Sequence, residues 1–195
     1  INGGVINGEA YRGVPTFKLK HDIAAGNILM QEKIAIGETE TAGELHDKMK
    51  DAGATLLLET IKGLANGTLE EIPQGKLAGD VSEPLVHAPK IFTETCRIDW
   101  DKTTRGIFNL IRGLSPYPCA FTELQGKKLK IFRAEKIMGD PHITAGTVQS
   151  DGKTFLRYAC KDGLINILEL QLEGKKKMET AEFLRGFHFK EMPHL

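Results

Sequence analysis

Arg97-Ile98-Asp99-Trp100, then one helical interval, then Ile111-Arg112-Gly113-Leu114-Ser115-Pro116-Tyr117-Pro118 is the stretch whose reading decides the fold. Between the two halves Ile107, Leu110, Ile111 and Leu114 recur three and four residues apart, which predicts a helix over 103–114 with one inward face. Asp101 or Thr103 can cap its start. Ser115-Pro116-Tyr117-Pro118 stops it, because a residue before proline is pushed out of the helical region. Downstream the pattern changes to short strands, expected at 119–124, 128–136, 144–149, 154–159 and 164–172. Gln125-Gly126, Gly139-Asp140-Pro141, Ser150-Asp151-Gly152 and Lys161-Asp162-Gly163 punctuate them as turns. Strands this short and this regularly spaced predict a small closed or half-open barrel, with a short closing helix from Thr180 to Arg185.

Upstream, Val14, Phe17 and Leu19, then Ile28, Met30, Ile34 and Ile36, predict strands over 14–19 and 28–36. A turn over 21–27 ending in Gly26-Asn27 joins them as a hairpin. Thr41-Ala42-Gly43-Glu44 has the spacing of a capping box. Behind it Leu45, Met49, Ala52, Leu56, Leu57, Ile61 and Leu64 recur at helical spacing, which predicts a helix over 42–65 whose stripe packs into a core. Residues 67–92 hold Pro73, Pro84 and Pro89 with Gly75 and Gly79 and repeat few apolar positions, the composition of a linker.

The 195 residues suffice for one large domain or two small ones. No apolar run approaches the ~20 residues a membrane helix needs, and no signal segment opens the chain, so the reading expects a cytoplasmic protein. Ile1 stands first, from which a longer frame is expected upstream. Cys96, Cys119 and Cys160 are odd in number, far apart and form no C-x-x-C pair, so neither a zinc site nor a disulfide framework is expected. Net charge is zero but unevenly spread: residues 1–97 carry 10 Lys/Arg against 14 Asp/Glu, and residues 98–195 carry 16 against 12. The basic second half points mildly to an anionic partner. No Walker loop, G-x-G-x-x-G or G-x-S-x-G occurs.

In order, these pieces resemble the C-terminal two-thirds of the methionyl-tRNA formyltransferase family. Ile6-Asn7-Gly8-Glu9, Gly13-Val14 and His21-Asp22-Ile23 look like the late strands of its formyl-transfer domain, and Gly53-Ala54-Thr55-Leu56-Leu57-Leu58-Glu59-Thr60-Ile61 like that domain's last long helix. Ala88-Pro89-Lys90-Ile91 and Arg97-Ile98-Asp99-Trp100 lead into its second domain. Gly146-Thr147-Val148, the run 162–171 and Gly174-Lys175-Lys176-Lys177-Met178 look like its barrel. The resemblance implies an α/β fold in which the tail of a Rossmann-like formyltransferase domain, a strand hairpin plus a long helix over 1–66, passes through a linker over 67–96. The linker leads to a small OB-like β-barrel over 97–195. It also implies a one-carbon group transferase of translation initiation. The donor would be 10-formyltetrahydrofolate and the acceptor the methionyl amino group of initiator tRNA, bound by a monomer without a metal.

The departures weigh as much. The family's Asn-x-His pair and Ser-Leu-Leu-Pro loop occur nowhere in this chain. Its third catalytic residue is an aspartate in an Ile/Leu-Asp-Thr-Gly turn; the matching turn here is Ile23-Ala24-Ala25-Gly26, with Ala24 in the aspartate's place. Alanine cannot orient a histidine or accept a proton. Asp22 and His21 read as ordinary polar turn residues, and Gly3 stands where the family has tryptophan. No catalytic residue is therefore assigned, no folate-binding residue is identified, and the isolated chain is expected to lack formyl-transfer activity. Residues 1–65 are expected to leave a sheet edge open, while the barrel is expected to fold alone.

The binding residues expected on the barrel are Lys127, Lys128, Lys130, Arg133, Lys175, Lys176, Lys177 and Arg185. Such groups neutralise phosphates through charge and counterion release without reading bases. The barrel's aromatics are expected in the core rather than under stacked bases, and Trp100 at the domain junction. Two rival readings use the same surface: a non-catalytic tRNA- or RNA-binding module, and a folate-dependent formyltransferase acting on another amine such as an amino sugar.

Overall fold

The computed structural model describes residues 1–19, 26–73, 88–139 and 142–190. The turn holding His21, Asp22, Ile23, Ala24 and Ala25 lies outside the described residues, as does most of the expected linker. The chain divides into two compact units. One comprises Ile1–Gly8, Thr39–Gly43 and Lys90–Leu195; the other comprises Glu9–Glu38 and Glu44–Pro89.

The smaller unit holds an antiparallel hairpin of β1 (Tyr11–Phe17) and β2 (Ile28–Ala35). Most of the helix α2 (Ala42–Ala65) belongs to it. Thr16 Oγ1 and Thr60 Oγ1, 2.8 Å apart, tie hairpin to helix. The helix has the expected ends, but its stripe does not pack as expected. Leu45 and Leu56 are buried, whereas Leu57, Ile61 and Leu64 are each at least half exposed, together with Leu58. The apolar positions outnumber what a two-stranded hairpin covers, so helical spacing identified the helix without saying that its face is buried.

The larger unit is built on a six-stranded antiparallel sheet. Its strands are β3 (Ala120–Leu124), β4 (Lys127–Met138), β5 (Val148–Ser150), β6 (Leu156–Cys160), β7 (Gly163–Leu172) and β8 (Met178–Glu179). The order is β3-β4-β7-β6-β5, with β8 pairing β7. The two ends of this path are not joined by a ladder, so the sheet is open rather than a closed barrel. Strands β5, β6 and β8 are short, and β8 and the N-terminal helix α1 (Asn2–Ile6) carry too few residues to show a period.

The core lies on one face of this sheet. Leu129 and Ile131 on β4 face it, and so do Ile165, Ile167, Leu170 and Leu172 on β7. The step from Ile167 to Leu170 breaks strict alternation because the ladder skips Leu168 on β7 as it skips Phe132 on β4: Ile131 pairs Leu170, Arg133 pairs Glu169 and Ala134 pairs Ile167. Helix α3 (Thr104–Leu114) covers this face with Ile107, Phe108, Ile111 and Leu114. Helix α4 (Thr180–Arg185) adds Phe183 and Leu184. Thr103 caps α3 by accepting from Gly106 N at 3.2 Å. Trp100 stacks on Tyr158 at 4.4 Å within this unit and donates from Nε1 to Thr122 Oγ1 at 3.0 Å.

Two motif residues of the opening stretch explain themselves here. Arg112 is buried, and it donates to Asn109 Oδ1 at 2.9 Å, the Glu40 carbonyl at 3.2 Å and the Val5 carbonyl at 3.4 Å. Gly113 lets α1 approach, since a Cβ there would lie 2.5 Å from Ile6 Cγ1 and 2.9 Å from Ile6 N. Asn2 Nδ2 seals the contact on the Gly113 carbonyl at 2.8 Å.

Asp162 anchors the start of α3 from the β6–β7 turn: its Oδ1 accepts from Thr104 N at 2.6 Å and from Thr104 Oγ1 at 2.8 Å. These bonds hold its carboxyl pKa below the ordinary value. A depressed carboxylate pKa stabilises the fold above the unfolded-state pKa, and the gain is lost as pH falls through the folded-state value. Asp162→Ala is expected to cost about 1 kcal/mol at neutral pH, as loss of a helix-start acceptor does. The gap from the parent should close below about pH 4. Urea unfolding at pH 7 and pH 3 checks both; an equal gap at both would remove the carboxylate from the account.

Candidate nucleic-acid interface

The sheet face opposite the core carries most of the expected binding residues. Register places Lys130 opposite Gln171 on β7 and Phe121 on β3, with Lys128 opposite Glu123. After the bulge Arg133 comes out on this face, opposite Glu169. Lys128 Nζ lies 3.9 Å over the Phe121 ring, and the Arg97 guanidinium lies 5.5 Å from the same ring. A ring between two cations attracts both through its negative face and screens part of their mutual repulsion. Arg97 also pairs with Glu123 at 2.8 Å.

The β7–β8 turn brings the second lysine cluster to the first. Glu173 N donates to the Lys128 carbonyl at 2.8 Å, and Lys128 N donates to Glu173 Oε2 at 3.1 Å. Gln171 Nε2 reaches back to the Lys175 carbonyl at 2.9 Å. Between strand and turn lies a shallow cavity of about 270 Å³ lined by Lys128, Lys130, Gln171, Leu172, Glu173 and Gly174.

The eight expected residues do not form one unopposed patch. Glu169 takes Lys177 at 2.6 Å on Oε2 and Arg133 at 4.0 Å on Oε1. Glu169 Oε2 is shielded from water and makes no aligned hydrogen bond, so Lys177 satisfies it as an ion pair. Lys177 also covers the Phe132 ring at 4.9 Å. Lys176 pairs with Glu182 at 3.6 Å on α4, whose last turn carries the exposed Arg185. Lys127 opens β4 at its exposed end, and Lys175 is exposed beside the cavity. Lys128, Lys130, Arg133, Lys175 and Lys177 are therefore brought together, while Lys127, Lys176 and Arg185 lie to its sides. Sequence reading missed Arg97 and Gln171, which only the ladder registers bring alongside, and it missed the acids that temper the charge; Phe121, expected in the core, is buried there with its ring under Lys128.

Chemistry of bond-making is not built from these residues. Burial pushes the Cys119 and Cys160 thiols up to about 11 and raises Cys96 as well, which keeps all three protonated and unreactive. Among the described residues no group of three or more His, Cys, Asp or Glu could hold a metal ion. No described helix is long and apolar enough to cross a membrane.

Comparison with known proteins places the chain in a family. Residues 90–188 match the family described as "Formyl transferase, C-terminal domain". The chain is 46% identical over 192 residues to methionyl-tRNA formyltransferase of Phocaeicola vulgatus, covering 96% of this chain and 59% of the relative. It is 44% identical over 196 residues to that of Bacteroides fragilis, covering 98% and 60%. The chain thus spans about 60% of the length of these relatives. Among solved structures it resembles HypX from Aquifex aeolicus, crystallised with tetrahydrofolic acid, at a TM-score of 0.66 and 18% identity over 94% of this chain and 31% of that one. It also resembles an N-formyltransferase from Helicobacter canadensis, crystallised with folinic acid and dTDP-3-aminofucose, at a TM-score of 0.61 and 20% identity over 90% and 59%. At such identities the likeness is one of fold. The open antiparallel sheet with its covering helices is that of the matched domain, and this chain belongs to the formyl transferase family.

Proposed function

We propose that this chain is the C-terminal part of a methionyl-tRNA formyltransferase and that its larger unit holds the acceptor tRNA. The observation that carries the reading is a cavity walled by Lys128, Lys130 and Gln171, whose Nε2 also holds the Lys175 carbonyl at the start of the second lysine cluster. In this reading β3–β8 form the OB-like half-barrel within 97–195, and β1, β2 and α2 form the Rossmann-like tail within 1–66. The exposed stripe Leu57, Leu58, Ile61 and Leu64 supports the tail assignment, because a helix with that face belongs to a larger packed layer. The protein acts in the cytoplasm as a single chain, on initiator methionyl-tRNA, with 10-formyltetrahydrofolate as donor.

The described residues do not fit a folate site. Two cavities among them are bounded by lysines and a glutamate or by arginines beside a carboxylate, and neither offers the donor set for a developing oxyanion with a base beside an amine. No step through the folate is assigned to them. With Ala24 in place of the family aspartate and no Asn-x-His pair, purified 1–195 is expected to show no formyl transfer to methionyl-tRNA. Turnover above background by the pure chain would overturn that. The second reading is an RNA-binding module without catalysis, which the same lysine face would serve. A formyltransferase acting on an amino sugar is the weaker rival, since it gives the lysine face no task.

The test is a salt titration of initiator tRNA binding by the full chain. Lys175→Ala, Lys176→Ala and Lys177→Ala combined are expected to weaken binding roughly tenfold or more and to lower the slope of log K on log salt by about 2–3. Unchanged affinity and slope would sink the clamp reading. A titration with non-initiator tRNA separates the two RNA readings: preference for initiator tRNA favours the transferase, equal binding favours the module.

A further inference from the structure

A second cavity of about 250 Å³ lies within the larger unit, at the β4 bulge. Thr39, Thr41, Arg112, Phe132, Arg133 and Glu135 contribute to its lining. We propose that it binds a single nucleotide unit, a phosphate on a ribose.

The size sets the first limit. At about 250 Å³ the cavity falls just short of the roughly 300 Å³ at which small-ligand sites begin, so it holds the phosphate and ribose and leaves the base in solvent. The charge sets the second. Arg133 presents a planar fork suited to phosphate oxygens, and its side chain is 41% exposed, within reach of an incoming group. Arg112 stands at the back, already held by Asn109 Oδ1 and the Glu40 and Val5 carbonyls. It therefore supplies fixed positive charge without having to reorganise. Two aromatic rings bound the cavity, and each carries an ammonium: Lys136 lies 4.7 Å over Phe108 and Lys177 lies 4.9 Å over Phe132.

Glu135 decides between an inorganic anion and a nucleotide. A carboxylate beside a phosphate repels it unless the ligand also brings donors. Glu135 Oε2 accepts from Asn166 Nδ2 at 3.4 Å, which leaves the carboxylate with further lone pairs for hydroxyl donors. A ribose 2′,3′-diol supplies two such donors set apart from its phosphate; the P–OH of free phosphate sits on the repelled anion itself, and simple carboxylates have none. Glu169 faces the same guanidinium at 4.0 Å and holds Lys177 at 2.6 Å, so a bound phosphate would share Arg133 while Lys177 keeps its partner. Nothing in the lining distinguishes one base from another.

The proposal does not rest on the tRNA reading; the two share Arg133 and Lys177. The experiment is calorimetric titration of the full chain at low salt with adenosine 5′-monophosphate, adenosine and inorganic phosphate. The monophosphate is expected to saturate one site, with adenosine and phosphate each at least roughly tenfold weaker, the scale of one lost charge-assisted contact. Arg133→Gln is expected to weaken the monophosphate at least roughly tenfold. Glu135→Ala, at an exposed position, is expected to close the gap between monophosphate and inorganic phosphate without moving the melting temperature. Equal binding of phosphate and nucleotide, or nucleotide binding indifferent to both substitutions, would overturn the proposal. Competition with a short single-stranded RNA names the source: displacement of the monophosphate assigns the site to a nucleotide of RNA, and no displacement assigns it to free nucleotide. Lys175→Ala combined with Lys176→Ala keeps the two readings apart, because neither lysine lines this cavity: the pair should lose tRNA affinity and keep the monophosphate.

Discussion

Arg112→Met is expected to lower the unfolding free energy of this chain by about 3 kcal/mol, far more than a typical helix substitution. The guanidinium is 7% exposed and serves three acceptors on three segments: Asn109 on α3, the Glu40 carbonyl and the Val5 carbonyl. Methionine fills similar volume and removes all three donors. The acceptors left behind stay shielded from water, and an unmade buried hydrogen bond costs more than a made one contributes. Burial lowers the arginine pKa, and Glu40 partly restores it, so the charge itself is held at some expense that the three bonds offset. Arg112→Lys should recover little, because a single ammonium cannot reproduce a planar fork aimed at three acceptors. Arg105→Ala, exposed on the same helix, should stay within about 0.5 kcal/mol of the parent. Urea denaturation of the three variants decides it; Arg112→Met matching Arg105→Ala would mean that the three bonds contribute nothing net.

Leu170→Ala is expected to cost about 3–4 kcal/mol. Leu170 is fully buried on β7, where that strand pairs with both β4 at Ile131 and β8 at Met178. Truncation leaves a void that two ladders hold open, so the surroundings cannot collapse into it. Leu57→Ala on α2 is the contrast: the side chain is 53% exposed and should cost well under about 1 kcal/mol beyond its helix-propensity change. Comparable losses at the two positions would mean that the α2 stripe is covered in solution, and would call for a search for what covers it.

These two residues also show how far a sequence reads. The inward face of α3 was legible from the helical spacing of Ile107, Ile111 and Leu114; Leu170 was not, because period two carried on from Ile165 and Ile167 would turn Glu169 inward, and only the irregular β4–β7 register puts Leu170 there instead. Arg112 was legible only as part of a motif. Its task depends on carbonyls 72 and 107 residues away in the chain, and no local pattern encodes a partner at that separation. The α2 stripe erred in the other direction. Spacing identifies a face that can be buried, and burial needs a second surface, which the hairpin does not supply for Leu57, Ile61 and Leu64.

The same division holds for the candidate interface. Sequence alone determined which residues carry its charge, because lysine clusters, turn residues and strand parity are local properties of the chain. It also established the expectation against catalysis, since Ala24 cannot do the work of a carboxylate. Tertiary structure decided which of those charges act together. The β4 bulge turns Arg133 onto the face of Lys128 and Lys130, the β7–β8 turn carries Lys175 and Lys177 to them, and Glu169 and Glu182 withdraw part of the charge. The physical reason is range: torsional preference and side-chain period act over a few residues, whereas charge and packing act through space between segments that only the completed sheet brings within a few ångström.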